Sequence, residues 1–305
     1  MQGLETFEQH LRHYSRRADG ARQVRGFYDL SQVPFKLGNI LLFAQNIRVV
    51  QALAGVPSCR FEFVTDRGFL NRSLNEFELP GRIEWARKLA CTYSGLDYVG
   101  ERAGPVLSGD IVFPMPDSTW DHKSYLFTWI AEHYRGLRVR APYSFFSTKA
   151  AEFIQTAGRP VVCLHPKYDL RERSNALLEI WVSITARLSG RFQPVVVATD
   201  KYPAGFRDEV MRAGGLLAQD MGFDIFDESY LIHHGAGFIG IASGPSNFAI
   251  FSDRPYLIIK HEEDAWSEKF NEVVGNRLPM ALPGQYFYIG SENSKFVDEK
   301  VRQWT

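Results

Sequence analysis

Cysteine is scarce in this sequence. The 305 residues include three cysteines, Cys59, Cys91 and Cys163, which lie far apart and form no Cys-x-x-Cys pair. An odd number at such spacing argues against a disulfide framework and against a structural zinc site. The cysteine content therefore fits a protein of a reducing compartment.

An excess of charge of either sign is also missing. The 35 lysines and arginines are balanced by 35 aspartates and glutamates, so the formal net charge at pH 7 is zero. Nucleic-acid-binding proteins usually carry a basic surface, and we therefore expect no nucleic-acid partner. An arginine-rich N-terminal arm is more simply interpreted as a solvated helix face than as a membrane contact.

Long apolar runs are absent as well. No run approaches the roughly 18 residues of a membrane-spanning helix, and the N-terminal stretch lacks the apolar core of an export signal. We therefore expect a cytoplasmic protein, with at most peripheral contact at the inner face of the membrane.

Several catalytic signatures are missing. The chain has no Walker A sequence and no Asp-x-Asp, and its HEED segment is not His-Glu-x-x-His. His233 and His234 are adjacent, so on a helix they point about 100° apart and cannot share a metal. The segment GIASG resembles a nucleophile elbow, but its serine lies one place out of register and no His and Asp pair is assigned to activate it. We therefore expect no metal, no cofactor and no acyl hydrolysis.

One motif match is misleading. GAGFIG, at residues 235–240, satisfies the pattern G-x-G-x-x-G. The dinucleotide fingerprint follows a strand and opens a helix, whereas this segment is predicted to follow a helix and enter a strand. We therefore do not interpret it as a dinucleotide site.

The sequence does contain a regular alternation of apolar strands and amphipathic helices. In the first half, a helical segment at residues 38–55 separates two short apolar segments, RGFYDLS and RFEFVTD. In the second half, near-continuous apolar strands such as PVVCLH and GFIGIAS alternate with helices. This alternation is typical of a parallel sheet covered on both faces.

The length of the chain favours two domains. With 305 residues, 45% of them apolar, it exceeds one ordinary hydrophobic core. We predict an α/β fold of two Rossmann-like, doubly wound domains that face a cleft, residues 1–155 with the basic arm and residues 156–305. Because open α/β sheets bind ligands outside the carboxyl ends of their strands, we expect the site there.

Basic residues follow the first strand of the second domain. PVVCLH ends at His165 and leads into Lys167, Arg171 and Arg173. Asp200 ends the next apolar strand, PVVVATD. Cations at this edge of a sheet suit an anionic ligand, although a solvated loop would have the same composition.

A second polar segment separates a predicted strand from a short helix. It consists of Ser243, Gly244, Pro245, Ser246 and Asn247. Free N–H groups and the helix dipole favour an anion, especially phosphate, at such a place. Serine and asparagine are also ordinary helix caps, so a purely structural turn is the alternative.

Three segments together resemble the two-domain (GT-B) glycosyltransferases. These are GNILLFAQ after the first strand, HPKYDLRER in the second domain and SGPSNFAIFSDRPYLI late in that domain. Within that class they are most similar to bacterial heptosyltransferase-like and fucosyltransferase-like enzymes, above all over residues 161–260. The resemblance implies metal-independent transfer of a sugar from a nucleotide-sugar donor to a glycan, a lipid-linked acceptor or another hydroxyl acceptor.

The resemblance also implies roles for individual residues. It makes residues 156–305 the donor domain and places the donor diphosphate at residues 243–247, with residues 1–155 on the acceptor side. His165-Pro166-Lys167 stands where fucosyltransferase-like members have His-x-Arg, and lysine lacks the bidentate fork of arginine. Gly38-Asn39 stands in the first loop where heptosyltransferase-like members have Gly-Asp, and an amide cannot act as a base.

A catalytic base is expected from the first domain. An inverting enzyme needs a carboxylate or imidazole near the acceptor hydroxyl. Asp66, Asp121 and His122 are the candidates, although residues of these types at such positions are more often helix caps or surface residues. A sugar-nucleotide isomerase or hydrolase of the same fold and a non-catalytic nucleotide-sugar binding or scaffold protein are the alternative functions.

Overall fold

The computed structural model describes residues 14, 22–69, 78–114, 140–169, 175–198, 202–203, 205–262 and 277–304. The chain divides into two compact units, Met1–Ser144 and Phe145–Thr305. Each unit is built on one parallel sheet. The predicted α/β class with two Rossmann-like sheets is confirmed.

The first unit contains a four-stranded sheet of order β3-β2-β1-β4. Its strands are β1 (Gln23–Asp29), β2 (Ser58–Val64), β3 (Tyr98–Glu101) and β4 (Asp110–Phe113). The strand order reverses between β1 and β4, because β2 and β3 extend to one side of β1 and β4 lies on the other.

In the described part of the first unit, the helices that pack on this sheet are α1 (Leu37–Ala54) and α2 (Leu79–Ala90). α1 ends at Gly55, whose φ of 67° is the left-handed conformation that glycine adopts at no steric cost. By length and composition α1 could cross a membrane, so our expectation that no apolar run reaches that length was wrong. Of its 18 residues, 67% are buried inside the protein, as in a core helix.

The second unit contains a six-stranded sheet of order β10-β9-β8-β5-β6-β7. The chain runs outward from β5 through β6 to β7, and then returns to the other side of β5 for β8, β9 and β10. The strands are β5 (Val161–His165), β6 (Gln193–Val196), β7 (Leu216–Leu217), β8 (Gly237–Ile241), β9 (Tyr256–Lys260) and β10 (Gln285–Ile289). This is the doubly wound order, in which the strand order reverses between β5 and β8.

Helices cover both faces of the second sheet. They are α3 (Thr148–Thr156), α4 (Leu178–Leu188), α5 (Phe206–Arg212), α6 (Ile225–His234), α7 (Ser246–Ile250) and α8 (Ser294–Val301). α4 and α8 pack together over a core that includes the buried rings of Trp181 and Trp304. α3 and α6 pack together elsewhere on the unit.

The boundary between the units lies before α3, whereas we expected it at the end of this helix. The reason is that α3 belongs to the core of the second unit: the Phe153 ring packs on Phe223, with centroids 5.7 Å apart. Ser147 caps α3 as predicted, by accepting the Ala150 N–H at 3.0 Å. The Ser147 hydroxyl also donates to the Asp227 carboxylate on α6 at 2.5 Å.

The glycines of GAGFIG are explained by packing. A Cβ atom at Gly235 would lie 2.7 Å from the Leu231 carbonyl oxygen and 2.8 Å from that of Val161. At Gly237 it would lie 2.6 Å from the Trp304 ring. The segment leaves α6 and enters β8, so the prediction that it is not a dinucleotide fingerprint is confirmed.

Candidate functional site

The candidate site lies at the carboxyl edge of the second sheet, where β5 and β8 are neighbours. His165, the last residue of β5, is 1% exposed. Its Nδ1 lies 3.2 Å from the Val197 carbonyl oxygen after β6, and its Nε2 lies 2.6 Å from the Ser243 Oγ after β8. One imidazole therefore joins the ends of three adjacent strands.

These contacts fix the hydrogen positions on the neutral ring. A carbonyl oxygen can only accept, so the Nδ1 of His165 carries the hydrogen that is donated to Val197. Nε2 of the neutral ring then accepts, and the Ser243 hydroxyl donates to it. The Ser243 oxygen is left with lone pairs that can accept a hydrogen bond from a ligand hydroxyl.

The Ser-Gly-Pro-Ser-Asn turn is held together by its own side chains. The Ser246 hydroxyl accepts the Ser243 N–H at 2.9 Å and donates to the Ser243 carbonyl at 2.6 Å. Asn247 Nδ2 donates to the Ser243 and Gly244 carbonyls at 3.0 and 3.1 Å. No side chain caps α7, which begins after Pro245. The donors of Ser246 and Asn247 side chains therefore serve the turn, and their contact with a ligand stays a prediction.

Some polar groups of the turn are left over. Within the described part of the chain, the N–H groups of Gly244 and Ser246 have no backbone partner. Asn247, 6% exposed, has a buried Oδ1 without a hydrogen-bond partner. Among the described residues, two N–H groups at the end of β8 therefore lack a backbone acceptor, and one amide oxygen is unpaired inside the turn.

Lys167 lies next to the buried imidazole. Its N–H bonds to the His165 carbonyl at 3.1 Å, and its own carbonyl accepts the Ala176 N–H at 2.8 Å. Its side chain is partly exposed at the carboxyl edge of the sheet. Three further predicted donor residues lie outside the described residues: Arg171, Arg173 and Asp200.

A strained residue follows the Val197 carbonyl. Ala198 has a φ of 103°, which costs on the order of 1–3 kcal/mol for a residue other than glycine. Its N–H donates to Glu228 Oε1 at 3.0 Å, and its carbonyl accepts from Gln219 Nε2 at 3.0 Å. Glu228, on α6, is fully buried. These two bonds hold the backbone in the conformation that turns the Val197 carbonyl toward His165.

A second histidine lies along the same edge. His261 follows β9, and its Nε2 is 2.9 Å from Oε2 of Glu292, which follows β10. The other oxygen of Glu292 accepts from the Leu177 N–H at 3.0 Å and from Trp181 Nε1 at 3.3 Å. Burial acts to raise the pKa of Glu292, but hydrogen bonds from His261, its own backbone N–H and Leu177, with the charge of His261, outweigh burial and lower it.

Glu292→Gln should destabilise the protein in a pH-dependent way. At pH 7 we expect the free energy of unfolding to fall by about 1–3 kcal/mol, because buried donors lose a charged acceptor. The pKa of Glu292 is lower in the folded protein than in the unfolded chain, so its ionised form stabilises the folded state above the unfolded pKa of about 4.3. This stabilisation is lost as the pH falls through the folded-state pKa. Urea unfolding of wild type and variant at several pH values measures the difference.

The matched control is Glu299→Gln on α8, whose side chain is 73% exposed. It should change the free energy of unfolding little at any pH. If Glu292→Gln lowers the free energy of unfolding as much at pH 3 as at pH 7, the effect does not come from the ionised carboxylate of Glu292.

The first unit does not gather its predicted residues in one place. Gly38 and Asn39, expected in a loop, lie in the first turn of α1, because the helix begins at Leu37. Asp66 is exposed in the loop after β2. Asp121 and His122 lie outside the described residues.

Sequence reasoning missed a buried carboxylate in this unit. Asp29 ends β1 and is 6% exposed. Its Oδ1 accepts from the Ser31 N–H at 3.0 Å and the Ser31 hydroxyl at 2.6 Å, and its Oδ2 lies 3.2 Å from the Arg67 guanidinium. Its position at the carboxyl end of a strand next to a strand-order reversal was the signal that could have identified it.

No cluster of metal ligands is found in the described ranges. Among these residues, no group of three or more His, Cys, Asp and Glu side chains could hold a metal ion. Among the described residues, the polar and charged groups of the site are Lys167, the backbone amides, the two histidines and the buried carboxyl groups of Glu228 and Glu292.

Comparison with protein-family models and with curated proteins finds no match. Among solved structures, a glycosyl transferase family 9 protein from Veillonella parvula matches with a TM-score of 0.53 at 9% identity, over 94% of this chain and 92% of the other. Escherichia coli heptosyltransferase WaaC with ADP matches with a TM-score of 0.49 at 9% identity, over 93% and 100%. The E. coli ADP-heptose LPS heptosyltransferase II matches with a TM-score of 0.45 at 12% identity, over 100% and 81%. The predicted resemblance to GT-B glycosyltransferases is confirmed in the fold.

Proposed function

We propose that this chain is a glycosyltransferase that moves a sugar from a nucleotide-sugar donor to the hydroxyl group of a glycan or lipid-linked acceptor. The observation that supports this most directly is the contact between His165 and Ser243 where the strand order reverses. Open α/β sheets bind their ligands at this position. The likeness in fold to a family 9 glycosyl transferase supports the same activity.

In this proposal the donor lies along the carboxyl edge of the second sheet. The diphosphate accepts from the N–H groups of Gly244 and Ser246 and is neutralised by Lys167. A sugar or ribose hydroxyl donates to the Ser243 oxygen, whose own hydrogen is directed at His165. Buried His165 acts as a positioning residue, because it holds the two strand ends together.

The reaction exchanges one carbon–oxygen bond for another. The acceptor oxygen bonds to the anomeric carbon while the bond from that carbon to the diphosphate breaks, and the electron pair leaves with the diphosphate. Backbone donors and Lys167 stabilise the developing negative charge without a metal ion. The acceptor hydroxyl gives its proton to a base, which in this proposal comes from the first unit.

We add Asp29 to the candidates for this base. It is a buried carboxylate at the ligand-binding edge of the first sheet, held in place by Ser31 and Arg67. Asp66 is an exposed carboxylate near the same edge, after β2. Asp121 and His122 stay candidates from the sequence.

A panel of nucleoside diphosphates tests the proposal. A ligand at about 100 times its Kd should add about 2.7 kcal/mol to the free energy of unfolding, which thermal unfolding detects. We expect at least one nucleoside diphosphate to stabilise the protein, in the presence of EDTA as in its absence, while its nucleoside does so weakly. Inorganic phosphate at equal concentration is the control.

Product analysis with the stabilising donor then separates the functions. Sugar on an added acceptor indicates a transferase, free sugar a hydrolase, and a rearranged donor an isomerase. Stabilisation without turnover across an acceptor panel would indicate a binding protein. Stabilisation by no nucleoside diphosphate would contradict the proposal.

A further inference from the structure

A buried arginine of the first unit has no part in the proposed reaction. Arg48, on α1, is 7% exposed. Its Nε donates to the Ser94 carbonyl at 2.8 Å, and its Nη2 donates to the carbonyls of Ala90 and Tyr93 at 2.8 and 2.6 Å. These carbonyls lie at and just beyond the end of α2, so Arg48 caps that helix.

Among the described residues, no carboxylate balances the charge of this arginine. Burial lowers the pKa of Arg48 to about 10, against smaller opposing effects of Cys59, Cys91 and Tyr93. Thiols and a phenol are neutral at pH 7, and burial raises the pKa values of Cys59 and Tyr93 further. Burying a charge without a counter-charge is costly, so the site favours an anion.

Part of the guanidinium is also unsatisfied. Nη1 of Arg48 is buried and has no hydrogen-bond partner in the part of the chain that the structure describes, so two N–H donors are unused there. Leaving buried donors unpaired costs free energy, and charged donors cost more than neutral ones. An anion that binds next to the guanidinium would supply the missing counter-charge.

A cavity lies directly beside Arg48. It has a volume of about 170 Å³, and the described residues that line it include a second arginine, Arg140, and no acidic residue. Ser94 and Gly95 form part of the wall. Gly95 has a φ of 102°, and even a Cβ atom there would approach Arg48 Nε to 3.7 Å. Gly95 therefore lies against the Arg48 side chain, and its positive φ favours glycine there.

The position of this cavity separates it from the site proposed for catalysis. The Gly95 carbonyl lies 3.0 Å from the Sγ of Cys59, the second residue of β2. The cavity is therefore near the amino end of β2, whereas the ligand-binding edge of such a sheet is at the carboxyl ends.

We propose that this space, which we call the Arg48 cavity, binds a small oxyanion, the phosphate or carboxylate group of a metabolite. Planar guanidinium groups match both kinds of anion through paired N–H···O bonds. Arg48 and Arg140 supply the charge, and the cavity between them holds the bound group. The proposal does not depend on the glycosyltransferase activity, since none of these residues belongs to the second unit.

Titration with inorganic phosphate and with acetate tests the proposal. Binding is measured calorimetrically on the full chain, at constant ionic strength maintained with chloride. For Arg140→Gln we expect the Kd to rise about tenfold to a hundredfold, because a charge-assisted contact is lost. The matched control, Lys88→Gln, removes an exposed cation from α2 and should leave the Kd unchanged.

Two further variants, Ala141→Phe and Lys167→Ala, keep the result interpretable. Arg48→Gln would also remove the cap of α2, so Ala141→Phe is used instead to fill the cavity while both arginines remain; it should abolish binding. Preference for phosphate or for acetate identifies the source of the oxyanion, and either supports the proposal. No binding of either anion, or binding lost in Lys167→Ala but unchanged in Arg140→Gln and Ala141→Phe, would overturn it.

Discussion

Gly240→Val should lower the free energy of unfolding by about 3 kcal/mol, although valine normally favours a strand. A Cβ atom at Gly240 would lie 2.6 Å from Cζ of Phe238 and 3.0 Å from Cβ of His165. Phe238 is fully buried in β8, and His165 pairs with Gly240 across the sheet. Both neighbours must move, and the movement of His165 disturbs its contact with Ser243. Urea unfolding measures the loss.

Gly190→Ala is the matched control for steric conflict, because a Cβ atom at Gly190 meets nothing within 4 Å. It should change the free energy of unfolding by a few tenths of a kcal/mol at most. If Gly240→Val is as stable as wild type, close packing at the end of β8 is not what requires glycine there. Where the variant still folds, its affinity for the stabilising nucleoside diphosphate should also fall.

Lys167→Ala should weaken the binding of a nucleoside diphosphate about tenfold to a hundredfold and that of the bare nucleoside little. A charge-assisted contact is worth roughly 1.5–3 kcal/mol, and lysine is proposed to meet the diphosphate alone. Titration calorimetry with both ligands gives the loss of affinity for each. The ratio of the two losses shows whether the lysine contacts the diphosphate.

Arg187→Ala serves as the control for loss of one positive charge. Arg187 is exposed in the last turn of α4, and α4 runs away from the carboxyl edge of the sheet. This variant should bind both ligands as wild type does. Equal losses for nucleoside and diphosphate in folded Lys167→Ala would mean that the lysine does not contact phosphate, and the donor would have to lie elsewhere.

The long elements of the fold could be predicted because their pattern is local. The helix expected at residues 38–55 is α1, and the strands expected to end near His165 and Ser243 are β5 and β8. β3 was missed because its sequence, YVGE, contains a glycine and a charged residue and so has no apolar run. β10 and α8 were missed although QYFYI is rich in aromatic residues typical of strands.

The candidate site could be predicted only in part. His165 and the Ser-Gly-Pro-Ser-Asn turn follow directly from the ends of apolar strands, so the sequence locates them. Glu228 and Glu292 do not stand out, because single acidic residues are common and their burial depends on remote partners. Glu292 bonds to Leu177, 115 positions away, and Glu228 bonds to Ala198, 30 positions away.

The turn illustrates what sequence patterns leave undecided. Ser246 and Asn247 are suited both to binding a ligand and to capping a helix. In the structure their side chains form hydrogen bonds with the backbone of Ser243 and Gly244. Neither ligand binding nor helix capping predicts these bonds. Composition identifies the segment, but the direction of each hydrogen bond depends on the folded geometry.

The contact between His165 and Ser243 also sets which kind of ligand atom fits at this edge of the sheet. Because the imidazole accepts the serine hydrogen, the Ser243 oxygen presents only lone pairs to a ligand. A ligand hydroxyl that brings its own hydrogen continues this chain of hydrogen bonds, whereas an ether or carbonyl oxygen would place lone pairs against lone pairs. The buried imidazole thus makes the serine next to it selective for a donor, although it does not contact the ligand itself.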